Sequence, residues 1–508
     1  MEKNAMADKL VRHSNITKTR FSPFYRQMFA TLGSFTSTIC IGMMIGYSAV
    51  LIPELQQPNS RFNIDANLAS WIASIPILPM AFGSLISGIL MDHFGRKMSH
   101  LILNVPFVIS WCIISMSEEI IILLLGRSLS GFCAGILSPL GPTYLAEISS
   151  PEYRGVFLGS ITFAIAFGIF LTHSLAIYVK WCVNAIICGL MPLLSYILIT
   201  FAPESPSWLL QKTRLQDAYE SFIWLRGSEE NSIKEFESMV EAQRTPNKQQ
   251  TNESNENALH NCNASNNVNR YQNLIEKLHK LIREKSFNRP LIILSVYFAT
   301  LQFSGNTAII FYTVTIFKKS IDNDKINEYT ATLIIDTLRL VTSLIACVIL
   351  KNINRRFLTI FSGISTALCL FGLSIYSYVA TINTYLKEMA VIPLILFAIY
   401  IFVLSIGISP LSWCLTSEMF PLRYRAIGVA FVTFFNFLCF FGVVKTTPIF
   451  FATYGPSNTF FIYAIFTMAG TIFLWIFLPE TRNISLQDIE NRYNTNLKRN
   501  INRNKIQP

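Results

Sequence analysis

About twelve stretches of this chain run for roughly 20 residues or more almost without charge: near 28–53, 67–91, 99–117, 119–142, 155–179, 181–202, 290–317, 329–350, 357–381, 389–415, 426–449 and 458–478. About 20 apolar residues in a helix cross the hydrocarbon core of a bilayer. In that solvent a spanning segment must satisfy its own backbone, which leaves the helix as the unit of construction. Composition agrees, with 52% hydrophobic and only 14% charged residues where a soluble chain carries about 25% charged. The chain therefore reads as an all-α polytopic membrane protein.

An even number of spans puts both termini on one side. Lys and Arg gather in the N-terminal tail (Lys3, Lys9, Arg12, Lys18, Arg20, Arg26), at Arg96-Lys97 and Arg355-Arg356, in the central segment and in the C-terminal tail. Clusters beside membrane segments mark the cytoplasmic face, so both termini are predicted to be cytoplasmic. The net charge of +11 follows from that bias and does not call for nucleic acid. Nine of the ten cysteines lie in apolar segments, Cys262 being the exception, with neither metal spacing nor a disulfide framework.

The charged residues repeat. Glu147, Pro151, Tyr153 and Arg154 return as Glu418, Pro421, Tyr424 and Arg425, with seven residues from Glu to Arg each time (154−147 and 425−418). Pro203-Glu204-Ser205 returns as Pro479-Glu480-Thr481, and Arg96-Lys97 as Arg355-Arg356. Matching charge clusters at the ends of matching spans indicate two six-helix halves, 28–203 and 290–478, flanked by tails 1–27 and 479–508. Segment 204–289 is the one long polar connection; Trp208-Leu209-Leu210, Ala218, Phe222, Ile223, Trp224 and Leu225 fall at helical spacing and predict short amphipathic cytoplasmic helices. About 245–269 is too rich in Asn, Gln and Ser to bury a core and is expected to be disordered. Its sequons at Asn252 and Asn263, on the cytoplasmic side, should not be glycosylated. Gly42/Gly46 and Gly131/Gly135 permit close helix approach, and Pro76, Pro79, Pro410 and Pro421 interrupt or end helices.

Gly88-Ile-Leu-Met-Asp92-His-Phe-Gly95-Arg96-Lys97 joins the second and third spans as a tight turn whose basic residues can reach neighbouring carboxylates. Together with Gly131-Phe-Cys-Ala-Gly135, Tyr144, Glu147, Arg154, the Pro203-Glu204-Ser205-Pro206-Ser207-Trp208-Leu209 run and Pro479-Glu480-Thr481, it resembles the signatures of the sugar porters of the major facilitator superfamily. Phe435-Asn436-Phe437, Lys445-Thr446 and Thr162 are similar to the insect trehalose-carrier subgroup. The resemblance implies a plasma-membrane carrier working by alternating access, functional as a monomer among membrane lipid, with a small-molecule sugar substrate. It implies no cofactor, no metal, no nucleic-acid partner and no catalysis; no nucleophile–base pair or phosphate loop is visible.

Asp92, Arg96, Arg127, Glu147, Arg154, Arg355, Glu418 and Arg425 are the expected cytoplasmic gate. If Glu147 and Arg154 meet Arg425 and Glu418 of the other half, they latch that end shut; the alternative is that these charges only hold loops out of the membrane. The family's sugar contacts fall on Thr162, Gln302, Thr307, Arg339, Ser405, Trp413 and Asn436, with Leu301, Thr307 and Ser405 departing from the amides and the acid usual there. Arg339 sits within the eighth span, where a charge needs a partner or a wet cavity. Either it pairs with Asp336 three residues earlier, or it meets a polar or anionic substrate, or both. Lys445 is either a substrate contact or a side chain reaching the outer interface. Proton-coupled relatives carry a carboxylate after the Gly-Tyr of the first span; here Gly46-Tyr47 is followed by Ser48, which predicts facilitated diffusion of trehalose or a monosaccharide. A carrier for another small polar or anionic solute is the alternative, and a transporter-like sugar sensor a third.

Overall fold

A computed structural model describes residues 22–57, 62, 64–241, 285–308, 328–382, 391–420 and 425–481. Within them are twelve helices long and apolar enough to cross a membrane. The first half contains α1 (Pro23–Leu55), α2 and α3 (Ala66–Ser74 and Ile77–Phe94, one span), α4 (Arg96–Ser115), α5 (Ile120–Ile148), α6 (Arg154–Ala176) and α7 (Trp181–Phe201). Two short helices follow, α8 (Pro206–Gln211) and α9 (Leu215–Arg226). The second half contains α10 (Lys285–Phe303), α11 (Glu328–Asn352), α12 (Arg355–Ile382), α13 and α14 (Val391–Ile406 and Ile408–Met419, one span), α15 (Arg425–Thr453) and α16 (Gly455–Phe477). The Asn-rich insert, Lys318 to Asp324, Pro421, Tyr424 and most of both tails (1–21 and 482–508) lie outside the described residues.

Helix packing repeats with the sequence. In the first half α1 packs on α6, α3 on α5 and α4 on α7; in the second, α10 packs on α15, α11 on α13 and α12 on α16. Each partnership maps onto its counterpart when a span is advanced by six. The halves meet along α3–α15 and α6–α11, contacts that exchange under the same operation.

Lipid supplies no hydrophobic drive between helices, so close packing and buried polar bonds must hold them together. A Cβ added to Gly131 would lie 1.9 Å from the Pro76 carbonyl oxygen, and one on Gly42 would lie 2.2 Å from that of Ile165. These small residues seat α5 on the second span and α1 on α6. Two second-half spans are broken, and side chains recover the freed backbone groups. At Gly407, Ser362 Oγ accepts from Ile408 N (3.1 Å) and donates to Val403 O (2.8 Å), while Tyr297 Oη donates to Ile408 O (3.0 Å). In the seventh span the helix yields at Ser304-Gly305, and Tyr400 Oη donates to Ser304 O (2.9 Å).

The amphipathic helices expected after the sixth span are present. Trp208, Leu209, Ala218, Phe222, Ile223 and Phe236 form a small core of their own. This unit is fastened to the first half: Arg26 donates to Trp224 O (2.9 Å), Gln27 to Leu225 O (3.3 Å) and Arg226 to Ser149 O (2.8 Å). Burial lowers the Arg226 guanidinium from its usual range, with Glu235 nearby acting the other way.

Gly131→Ala should lower the thermal midpoint of the detergent-solubilised protein, at a cost of about 1–3 kcal/mol for a methyl forced against backbone. Gly442→Ala, whose Cβ would meet nothing within 4 Å, should leave that midpoint unchanged in the same measurement.

Candidate functional site

The repeated charges build the same cluster twice, at one end of the bundle. Arg96 Nη2 donates to Glu147 Oε1 at 2.8 Å and Arg355 Nη2 to Glu418 Oε1 at 2.7 Å. The other oxygen of Glu147 accepts from Ser205 Oγ, and that of Glu418 from Thr481 Oγ1 at 3.0 Å. Glu204 then accepts from the backbone N–H groups of Arg96 (2.9 Å), Lys97 and Ser205, as Glu480 does from Arg355, Arg356 and Thr481 at 3.1 Å each. Each acid caps the exposed donors at the start of a span, where a helix favours negative charge. Burial pushes the Glu204 carboxyl above the usual carboxylate range, opposed by those N–H donors. Gly95 makes this approach possible: its φ is +89°, and an added Cβ would lie 2.5 Å from Glu204 Oε2. The second copy has Asn354 at that place, without positive φ, so the two turns differ in shape.

The gate differs from the cross-half latch read from the spacing. The ion pairs of Glu147 and Glu418 lie within their own halves, and among the described residues neither pairs with Arg425 or Arg154. The reason is reach, since Arg96 and Arg355 lie closer and already fill one oxygen of each acid. Arg425 still interacts electrostatically with Glu147, and Arg154 with Glu418. Arg154 Nε and Arg425 Nε and Nη2 are buried without a hydrogen-bond partner. Gly155 lies against Leu350 O and the Arg355 guanidinium, bringing the halves together here. Asp92 is exposed at the rim and makes no ion pair among the described residues; its backbone carbonyl accepts from Trp208 Nε1 (3.1 Å).

Arg127 does not belong to this cluster. It lies twenty residues before Glu147 on α5, about 30 Å at 1.5 Å per residue. There it donates to Met44 O (3.1 Å) and Ser48 Oγ and lies over the Tyr47 ring. Near the same end Lys445 bridges the halves, with Nζ 3.3 Å from Ser70 Oγ and 4.0 Å from the centre of the Trp71 ring. It is thus held by α2, not by a substrate-facing wall or by the interface.

Midway between these ends, the halves line a cavity of about 110 Å³. Thr162, Gln302, Thr307, Arg339, Ser405, Trp413 and Asn436 all line it. The first half contributes mainly Ile41, Ile45, Ile165, Ala166 and Ile169, so the polar wall belongs to the second half. Gln302 and Thr307 flank the Ser304-Gly305 break, and Ser405 and Ser409 flank the one at Gly407. Broken spans thus turn polar groups inward, as midplane sites in carriers do. Gln302 Nε2 donates to Asn436 Oδ1 (2.7 Å), and the Phe298 ring meets the Trp413 ring edge-on at 5.5 Å. Gln302 Oε1, Thr307 Oγ1 and Arg339 Nη1 are buried with no partner.

Asp336 does not pair with Arg339. Its Oδ2 lies 2.5 Å from His173 Nδ1, and His173 Nε2 lies 3.0 Å from Gly46 O. The nearer partner comes from across the α6–α11 contact, not from its own helix. Sequence reasoning missed His173; a lone histidine in the apolar stretch 155–179 was the available signal.

A family model described as sugar (and other) transporter matches residues 28–493. The facilitated trehalose transporter Tret1 of Apis mellifera ligustica is 29% identical over 491 residues, covering 95% of this chain and 91% of its own. That of Polypedilum vanderplanki is 29% identical over 470 residues, covering 92% and 88%. Among solved structures, the proton:xylose symporter XylE bound to 6-bromo-6-deoxy-D-glucose superposes with a TM-score of 0.76 at 18% identity, over 92% of this chain and 99% of that one. Inward-open XylE from E. coli gives 0.64 at 18% identity, over 91% and 98%.

Removing one partner of a buried ion pair costs about 3–5 kcal/mol, because the other charge stays buried alone. Glu147→Gln and Glu418→Gln should each lower the thermal midpoint by a loss of that order. Asp92→Asn, at the exposed rim, should stay within about 0.5 kcal/mol of the native protein.

Proposed function

We propose that this chain, which belongs to the sugar transporter family, carries a sugar across the plasma membrane by alternating access and without proton coupling. The observation that carries this reading is the cavity: it lies between the halves, midway along the spans, with most of its polar side chains supplied by the second half. Trp413 offers a flat apolar face to a sugar ring. Gln302 and Asn436 offer amides that donate and accept, matching hydroxyl groups. Both walls of the cavity come from one chain, which supports function as a monomer. Its relatives named as facilitated trehalose transporters support trehalose or one of its component sugars as substrate.

Uncoupled transport is supported at Arg127. The groups it bonds are a carbonyl and the Ser48 hydroxyl, neither of which exchanges a proton near neutral pH. The charged end is proposed as cytoplasmic, since Arg96, Lys97, Arg355 and Arg356 gather there with Lys212, Arg214 and Arg226 of the following segment. We assign Arg154 and Arg425 the role of the gate: each has buried nitrogens without a hydrogen-bond partner and is attracted to the paired acid of the other half. Opening that end separates them from it.

Proteoliposomes should take up labelled trehalose or glucose to equilibrium, with an initial rate indifferent to an imposed pH gradient. Accumulation above the outside concentration on an inward proton gradient would overturn the uncoupled reading. Leu350→Cys, buried against Gly155, reports on the gate in a background lacking the native cysteines. Arg425→Ala should speed its labelling by an impermeant maleimide several-fold, and an unchanged rate would sink the gate.

A further inference from the structure

The cavity carries a charge that nothing in its wall cancels. Arg339, 8% exposed, lines it, its Nη1 is buried without a partner, and no carboxylate is among the lining residues. The carboxylate that Arg339 interacts with electrostatically is Asp336, and that group is already committed to His173.

Hydrogen-bond chemistry fixes the charge of the Asp336–His173 pair. A carbonyl oxygen only accepts, so His173 Nε2, 3.0 Å from Gly46 O, carries a hydrogen. The 2.5 Å approach of His173 Nδ1 to Asp336 Oδ2 needs one proton between them, since two lone pairs would repel. With that proton on nitrogen the pair is imidazolium and carboxylate; with it on oxygen the pair is imidazole and carboxylic acid. The sum is zero in both. Arg339 therefore brings to the cavity a positive charge that no lining carboxylate pairs, costly within a membrane.

Two more buried atoms face the same space without partners. Gln302 Oε1 can only accept, because its amide is oriented by the bond from Nε2 to Asn436, and Thr307 Oγ1 can donate or accept. These need hydroxyl groups. The cavity, about 110 Å³, is better matched to one sugar ring than to two. One cation matches one negative charge. A phosphomonoester, at about −1.5 to −2 near neutral pH, would bring an excess.

Building on the carrier reading above, we infer that the cavity prefers an acidic monosaccharide, a sugar ring bearing one carboxylate as in a hexuronate, to the neutral sugars. The carboxylate sits on Arg339, and ring hydroxyls sit on Gln302 and Thr307.

The test uses the purified full-length protein, with ligand binding read from its tryptophan fluorescence and thermal midpoint. D-glucuronate, D-glucose, trehalose, glucose 6-phosphate and acetate are compared. Glucuronate should bind about tenfold or more tightly than glucose, as expected of a hydrogen bond to a charged group, with acetate far weaker. Arg339→Lys should keep a preference for glucuronate, and Arg339→Gln, checked for folding by size-exclusion chromatography, should lose it. Glucose or trehalose binding as tightly as glucuronate would overturn the inference while leaving the carrier reading intact. So would tighter binding of glucose 6-phosphate, or a glucuronate preference that survives Arg339→Gln. If no sugar, neutral or acidic, binds the folded protein or enters proteoliposomes, the carrier reading falls and the inference with it.

Discussion

One arginine–glutamate pair, made once in each half, organises the charged end of this protein. Arg96–Glu147 joins the third span to the fourth, and Arg355–Glu418 joins the ninth to the tenth. A buried ion pair adds little net stability, because desolvation consumes most of its attraction. Its value lies in geometry: each acid holds its arginine with one oxygen and the Ser205 or Thr481 hydroxyl with the other. That hydroxyl belongs to the same short run as Glu204 or Glu480, which cap the starts of the third and ninth spans. Three elements of a half are thereby fixed by one motif, and Arg154 and Arg425 remain for the contact between halves.

The halves share a scaffold but not a task. The first half presents an apolar wall to the cavity, while the second breaks two of its spans and turns polar side chains inward. Arg339 belongs to that second wall. Its charge stands alone because His173, from the first half, takes up Asp336. A contact between halves thus bears on the electrostatics of the cavity.

The architecture was legible because its causes are local. Span length, positive charge at span ends and the repeat at Arg96, Glu147 and Glu204 each follow from chain-level rules of folding in lipid. The seven cavity residues were found through resemblance, and the structure brings them to one space. Distance misled where partners were chosen. Asp336 and Arg339 share a helix face, so spacing alone paired them, yet His173 on another helix lies nearer. Likewise, the seven-residue Glu-to-Arg spacing suggested bonds between halves, where the structure makes them within each half. Arg127 was grouped with the gate by its charge, although its place on α5 puts it at the opposite end. Sequence spacing reports what a helix can present, and only packing decides what that side chain meets.

The central claim is that the charged end opens and closes around a cavity held between two rigid halves. The most direct measurement is the distance between spin labels at Met98→Cys and Phe357→Cys, exposed positions just inside the third and ninth spans. In nanodiscs, with the native cysteines replaced, two distance populations should be present, and a transported sugar should change their ratio without shifting either peak. A single distance that no sugar alters would contradict the account.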